Sequence, residues 1–146
     1  MEQQSSKSWV KILLTLGVTV GVAFFATNYF LTTYHVSSKY SLEEISKEMN
    51  RNAPKMIDDA TRLDSTTFAE STLNYHYTLI AIDRDSALVD YEALTAEMKQ
   101  KAQENLDKNP VMSDYRENKI TLHYFFNDNK QRPIFDYSVK HHAKQK

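Results

Sequence analysis

The chain has 146 residues, with 18 Lys and Arg against 19 Asp and Glu, and a formal net charge of −1 at pH 7. This near balance argues against nucleic acid as a partner. With no cysteine and only two glycines, the chain excludes a disulfide framework, a thiolate metal site, a glycine-rich phosphate loop and a G-x-S-x-G nucleophile elbow. We therefore expect a protein that is not an enzyme and that needs no cofactor.

An uncharged apolar segment runs from Ile12 to Tyr34. A helix needs about 20 apolar residues to cross a hydrocarbon core of roughly 30 Å, and aromatic rings at both ends of the segment suit the level of the lipid headgroups. The pattern predicts a single transmembrane helix. A cleaved signal peptide is the alternative, but its apolar region is usually shorter and ends in an A-x-A-like site, which Ala26 does not provide.

Small residues inside this segment predict a helix-packing surface. They form two stripes at i, i+4 spacing, namely Gly17 with Gly21, and Thr15 with Thr19 and Ala23. Such stripes let helix backbones approach closely in lipid. They predict a homodimer or a partner helix, and a plain monomeric anchor is the alternative.

Composition divides the chain into five parts. They are a cytoplasmic stub (1–11), the transmembrane helix (12–34), a polar connector (35–40), an α+β domain (41–140) and a basic tail (141–146). Lys7 and Lys11 precede the apolar segment and favour a cytoplasmic N-terminus. The predicted location is therefore the inner membrane of a bacterium, with the domain in the periplasm. The tail is either a frayed end or a contact for an anionic surface.

Hydrophobic periodicity predicts an α+β fold for the domain. Ser41 and Glu44 form a capping box before a helix that ends near Asn52, and Asp90 is the expected N-cap of a second helix. Alternation of apolar and polar residues predicts strands near 61–68, 73–82, 120–127 and 133–139. The prediction is a small antiparallel sheet of about four strands, in helix-hairpin-helix-hairpin order, covered by two helices on one face.

Two histidines occupy similar places on two of the predicted strands. If those strands are neighbours, His76 and His123 converge, and Asp136 could join them as a third metal ligand. A histidine on the wetter face of a strand is more often exposed or hydrogen-bonded to its neighbours. We therefore predict no metal site and keep this trio as the alternative.

The second face of the predicted sheet carries apolar side chains that the helices would leave uncovered. Alternation places Phe125 opposite its apolar neighbours on the same strand, and an exposed apolar spot often meets a partner. The predicted partner surface comprises His76, Ile80, Ile82, His123 and Phe125.

Three segments carry a resemblance to known proteins. They are residues 50–65, 73–79 and 120–130, and they are similar to a diffuse group of small membrane-anchored or lipoprotein domains of the bacterial envelope. That group usually has a glycine in the last hairpin turn and cysteines beside the last strands, and both are missing here. The resemblance implies an extracytoplasmic location and an α+β fold, and it implies no functional residues.

We therefore predict a non-catalytic, membrane-integral accessory module that docks another envelope protein or self-associates, through its apolar segment and its sheet. An extracytoplasmic sensor or small-ligand-binding domain is the alternative, and a closed apolar pocket between helices and sheet would favour it. An enzyme built without glycine would need titratable groups converging in a cleft.

Overall fold

The computed structural model describes residues 41–142 of the chain. The helices are α1 (Leu42–Arg51), α2 (Tyr91–Lys108) and α3 (Ser113–Glu117), and a 3₁₀ turn (Pro110–Met112) precedes α3. The strands are β1 (Lys55–Met56), β2 (Thr61–Ala69), β3 (Thr72–Leu79), β4 (Thr121–Asn127) and β5 (Pro133–Lys140).

Within residues 41–142 the strands form one sheet in the order β1-β2-β3-β4-β5. Neighbouring strands are antiparallel except for β3 and β4, which are parallel, with Thr72 opposite Thr121 and Thr78 opposite Asn127. The predicted antiparallel sheet of about four strands is therefore wrong. The sheet is mixed, and it has a fifth, two-residue strand that is too short for a periodicity signal.

The length of α2 explains the parallel pair. A helix of 18 residues is about 27 Å long, and an eight-residue strand is about 26 Å long. Helix α2 therefore carries the chain back along the whole of β3, so that β4 starts beside the beginning of β3. A parallel pair needs such a crossover.

No helix of residues 41–142 is long and apolar enough to cross a membrane. The transmembrane helix that was predicted at 12–34 lies outside the described residues, as do its packing residues Thr15, Gly17, Thr19, Gly21 and Ala23. The fold class is corrected accordingly, to a mixed sheet with helices. The stub, the connector and residues 143–146 of the tail also lie outside the described part.

Helix α1 begins where the capping box predicts. The backbone N–H of Glu44 donates to the Ser41 hydroxyl at 3.3 Å, and the N–H of Ser41 donates to the Glu44 carboxylate at 3.0 Å. Helix α2 begins at its predicted cap as well, because the N–H of Ala93 donates to Asp90 Oδ1 at 3.0 Å. These local signals place both long helices correctly.

Both long helices pack on the same face of the sheet, α1 over β2 and α2 over β5. Two rows of stacked rings cross the strands beneath them. Tyr124 lies between Tyr75 and Tyr137 at ring-centroid distances of 5.2 and 5.0 Å, and Phe126 lies between Tyr77 and Phe135 at 5.2 and 4.7 Å. The helices complete this core with Ile45, Met49, Leu94, Met98, Ala102 and Leu106.

The hairpin between β2 and β3 turns without glycine. Glu70 and Ser71 have φ values of 49° and 60°, and two central residues with positive φ are typical of a type I′ turn. This turn suits the right-handed twist of the flanking strands. It fixes the register that sets His76 opposite Ser65.

Candidate functional site

The sheet has a second face, on the side away from α1 and α2, and none of the described helices packs on it. We call it the open face and define it by Asn74, His76, His123, Phe125 and Asp136. Successive side chains of a strand point to opposite faces, so these residues lie opposite the core-facing aromatic side chains of β3 and β4. The register aligns His76 with Phe125 on β4 and Phe125 with Asp136 on β5.

Phe125 is the centre of the open face. Its ring stacks on the His76 ring at a centroid distance of 4.9 Å and an interplanar angle of 8°. The His123 ring lies tilted against it at 4.0 Å, and His123 Nε2 is 2.8 Å from Asp136 Oδ2. Two imidazoles and a carboxylate therefore surround one half-buried apolar ring.

The histidines do not form a metal centre with Asp136 in this arrangement. Asp136 pairs with His123, whereas His76 packs flat on Phe125. Within residues 41–142 no group of three or more His, Cys, Asp or Glu side chains is placed to hold a metal ion. The three predicted metal ligands therefore share Phe125 as a neighbour, but their side chains do not converge on one position for a metal ion.

The protonation of His76 follows from its surroundings. Burial lowers the pKa of His76, the Asp64 carboxylate opposes this shift, and the nearby His123 adds to it. Burial has the larger effect because desolvation disfavours the charged imidazolium. At neutral pH the ring therefore presents a neutral aromatic surface beside Phe125.

A polar cluster borders the open face at the far end of β3. A β-bulge between Leu63 and Ser65 inserts Asp64 into β2. Its carboxylate accepts hydrogen bonds from Arg62 Nε at 2.6 Å and from Thr78 Oγ1 at 2.5 Å. Gln131 Nε2 donates to the same Thr78 hydroxyl at 2.8 Å. The cluster gives the face a fixed, hydrogen-bonded rim.

The two isoleucines of the predicted partner surface lie elsewhere. Strand β3 ends at Leu79, and the chain then turns, with the N–H of Ile82 donating to the Leu79 carbonyl at 3.1 Å. Ile82 packs against the core, and Ile80 is 39% exposed beside the end of the strand. The structure thus brings together His76, His123 and Phe125 and separates them from Ile80 and Ile82.

An ionic network at one end of the sheet was missed by sequence reasoning. Asp128 is buried and accepts hydrogen bonds from the backbone N–H groups of Lys130 and Arg132, both at 2.9 Å, and from Arg132 Nε at 2.8 Å. Arg132 also forms ion pairs with Asp83 and Asp85, which lie in the loop between β3 and α2, the crossover loop. The network is structural, because it ties the β4–β5 turn to the segment after β3.

This network has a clear electrostatic consequence. Burial alone would raise the pKa of Asp128, but hydrogen bonds from the Arg132 side chain and from three backbone N–H groups hold it well below its usual range. The sequence showed only three acidic residues in loops, and no spacing rule relates them to Arg132. Their pairing depends on the β4–β5 turn lying beside the crossover loop.

The chemistry available on the open face is that of binding. A flat apolar ring with aromatic neighbours and a hydrogen-bonded rim resembles the apolar centre and polar border of a protein–protein interface. The arrangement therefore suits recognition of a surface.

Comparison with models of protein families shows which family the chain belongs to. Residues 37–135 match the family described as Domain of unknown function (DUF8479). The chain belongs to the DUF8479 family. No curated protein matches the chain significantly.

Solved structures show that this DUF8479 domain shares its fold with proteins of bacteria. The pilotin EpsS of the Vibrio vulnificus type 2 secretion system aligns with a TM-score of 0.50 at 7% identity, over 66% of this chain and 82% of the pilotin. A predicted secreted protein of Pseudomonas aeruginosa aligns with a TM-score of 0.51 at 16% identity, over 70% of this chain and 86% of that protein. The pilotin AspS of Vibrio cholerae aligns at 0.46 and 13%, over 66% and 83%. At these low sequence identities the likeness shows a shared fold alone.

These findings correct the predicted localisation. The DUF8479 chain was expected to be a single-pass protein of the bacterial inner membrane. The described residues include no helix able to cross a membrane, and the structures of like fold are a type 2 secretion pilotin and a predicted secreted protein. The inner-membrane assignment is therefore withdrawn, and the predictions that the chain is integral to the membrane and forms a homodimer gain no support. A resemblance to bacterial envelope domains is compatible with a pilotin-like fold.

Proposed function

We propose that this domain is a non-catalytic docking module of the bacterial envelope, which binds another protein through the open face. The observation that carries the proposal is the half-buried Phe125 ring, flanked by His76 and His123 on a sheet face that no described helix covers. Binding energy in interfaces concentrates in a few anchors near the centre, and large rings are frequent among them. Phe125 has the position and size of such an anchor.

The neighbours of Phe125 support recognition of a protein surface. The neutral His76 ring extends the apolar area, and the exposed carboxylate of Asp136 lies within hydrogen-bond distance of His123. This order, from apolar centre to charged border, matches the core and rim of non-obligate interfaces. A partner that places an aliphatic or aromatic side chain on Phe125 and polar groups around it would satisfy both parts.

The shared fold supports an envelope partner. EpsS is a pilotin from a type 2 secretion system, so the fold occurs in a protein of a secretion system. A fold can carry unrelated functions, so the likeness supports the class of role and leaves the partner to the chemistry of the open face.

The alternative of a small-ligand domain receives less support from the interior. A closed apolar pocket between the helices and the sheet would favour this alternative, but two rows of stacked rings occupy that layer. Tyr77 and Phe126 are almost fully buried within it. The open face is therefore the better candidate for a binding surface.

Truncation of Phe125 tests the proposal. Removing a central anchor costs about 2 kcal/mol or more of binding free energy, which lowers affinity about 30-fold. The tagged full-length chain and its Phe125→Ala variant would be expressed in the native host, and co-purified proteins would be quantified by mass spectrometry. We expect a specific envelope protein with the parent chain and at least a tenfold smaller amount with the variant.

Val111→Ala provides a matched control. Val111 is also a partly exposed apolar residue, at 42% exposure, but it lies in the 3₁₀ turn after α2, away from the open face. It should retain the partner. Equal retention by both variants, or a parent chain that captures no protein, would contradict the proposal, provided that thermal unfolding shows both variants to be folded.

A further inference from the structure

We infer that the outer edge of β5 accepts an extended segment of the partner protein as an added strand. Such strand addition uses the unpaired backbone groups of a sheet edge for affinity and neighbouring side chains for specificity. The inference rests on the proposed function, because Asp136 belongs both to the open face and to this edge.

The direction of the backbone groups follows from the sheet register. The N–H of Thr121 donates to the Ser71 carbonyl on the β3 side at 2.9 Å. Backbone groups of a strand alternate in direction, so Leu122, Tyr124 and Phe126 direct theirs towards β5. Their partners on β5 are Val139, Tyr137 and Phe135. The backbone groups of Asp136 and Ser138 consequently point away from the sheet, whereas Ile134 lies at a register shift of the ladder.

Side chains from other elements occupy the two ends of this edge but not its middle. Arg84 Nη1 donates to the Pro133 carbonyl at 3.1 Å, and Gln103 Nε2 donates to the Lys140 carbonyl at 3.0 Å. Among residues 41–142 no hydrogen bond is formed by the outward backbone groups of Asp136 and Ser138. This leaves a stretch of about four residues, roughly 14 Å long, for an added strand.

The opposite edge of the sheet is shorter and interrupted. Strand β1 has two residues and covers the first part of β2. Beyond it, the side-chain amide of Asn50 pairs with Thr66 as another strand would. Its Nδ2 donates to the Thr66 carbonyl at 2.7 Å, and its Oδ1 accepts from the Thr66 N–H at 2.7 Å. Edge strands that are left unprotected invite pairing, and β5, with eight residues, is the longer of the two edge strands.

Charge indicates what kind of segment fits. Residues 41–142 contain 13 Lys and Arg against 18 Asp and Glu, a net charge of −5. The Asp136 side chain is 58% exposed at the middle of the edge. A segment with a Lys or Arg opposite Asp136 would gain a cross-strand ion pair. Pairing with a second copy of the chain, centred on Asp136, would oppose two carboxylates, so we commit to a basic segment of a different protein.

Photocrosslinking in the native host locates the segment. The full-length chain would carry benzoylphenylalanine either at position 138, on the β5 edge, or at position 125, on the open face. Crosslinked peptides would be sequenced by mass spectrometry. From position 138 we expect crosslinks to one segment of a partner protein, with alternating side chains and at least one Lys or Arg.

A synthetic peptide of the mapped segment then tests the mode of binding. Ser138→Pro removes one outward N–H of an edge strand, a position where proline is tolerated, and should weaken binding about tenfold or more by fluorescence anisotropy. Leu88→Pro is the control, because Leu88 lies in the irregular segment before α2 and is 84% exposed; it should bind like the parent. Independently of any substitution, the peptide should slow amide hydrogen exchange at Asp136 and Ser138.

The outcomes separate this inference from the proposed function. Crosslinks from position 125 without any from 138, or a peptide affinity that Ser138→Pro leaves unchanged, would overturn strand addition and leave docking at the open face intact. Crosslinks between position 138 and the β5 edge of a second copy would also overturn it, in favour of a homodimer. No crosslink to any protein from either position would refute both proposals.

Discussion

Replacement of Asn50 by alanine should measurably destabilise the domain, because Asn50 closes the edge of β2. Its side chain makes the two 2.7 Å hydrogen bonds to the Thr66 backbone, and Thr66 is almost fully buried. Each such bond contributes about 1 kcal/mol net. Alanine is the better helix former by about 0.5 kcal/mol, so the expected net loss is about 1.5 kcal/mol of the free energy of unfolding.

Urea denaturation followed by circular dichroism measures this loss. For a domain of this size the slope is about 1 to 2 kcal/mol per molar urea, so Asn50→Ala should lower the midpoint by about 1 M. Asn118→Ala is the matched control, because its amide makes one local hydrogen bond to the Asp114 carbonyl at the surface. A loss below about 0.5 kcal/mol for Asn50→Ala, or equal losses for both variants, would refute the role assigned to Asn50.

Two further predictions concern ionisation. Asp128→Asn should lower the urea midpoint near pH 7, and the difference from the parent should shrink as the pH falls below 3.8. The reason is that a carboxyl group with a lowered pKa stabilises the fold above its ordinary pKa, and this stabilisation is lost when the group is protonated in acid. An Asp59→Asn control at an exposed position should show neither effect. His76 has a lowered pKa, so the folded chain binds fewer protons there than the unfolded chain and stability should fall as the pH drops through 6.5. His76→Gln should reduce that fall between pH 7.5 and 5, and an identical pH dependence in parent and variant would contradict it.

Local signals in the sequence were sufficient for the helices. The capping box of Ser41 and Glu44 and the N-cap at Asp90 are each satisfied within three residues of chain. The apolar alternation of β3 and β4 likewise separates the buried tyrosines from His76 and His123. Such features depend on neighbours along the chain, and no tertiary information is needed to find them.

The direction and order of the strands could not be obtained in the same way. Alternation is the same for a strand that runs either way, so it could not show that β4 lies parallel to β3. That arrangement sets His76 opposite Phe125, and it therefore creates the centre of the open face. The end of β3 at Leu79 was equally hidden, because Ile80 and Ile82 continue the alternation although the chain has already turned.

Long-range polar contacts could not be predicted from the sequence either. In the sequence, Asn50 is an ordinary polar residue of a helix. Its pairing with the Thr66 backbone depends on the position of α1 along the edge of β2. Asp128 and Arg132 lie close together in sequence, but their partners Asp83 and Asp85 are more than 40 residues away. Single residues with such roles have no periodicity or spacing that a sequence pattern could register.

Hydroxyl-radical footprinting of the full-length chain, alone and with its co-purified partner, tests docking at the open face most directly. Radical oxidation reports the exposure of individual side chains, and Val111, which is 42% exposed in the 3₁₀ turn after α2, supplies an internal control away from the face. We predict that the partner lowers oxidation of Phe125, His76 and His123 several-fold and leaves oxidation of Val111 unchanged. Protection of Val111 with unchanged oxidation of Phe125 would contradict docking at the open face.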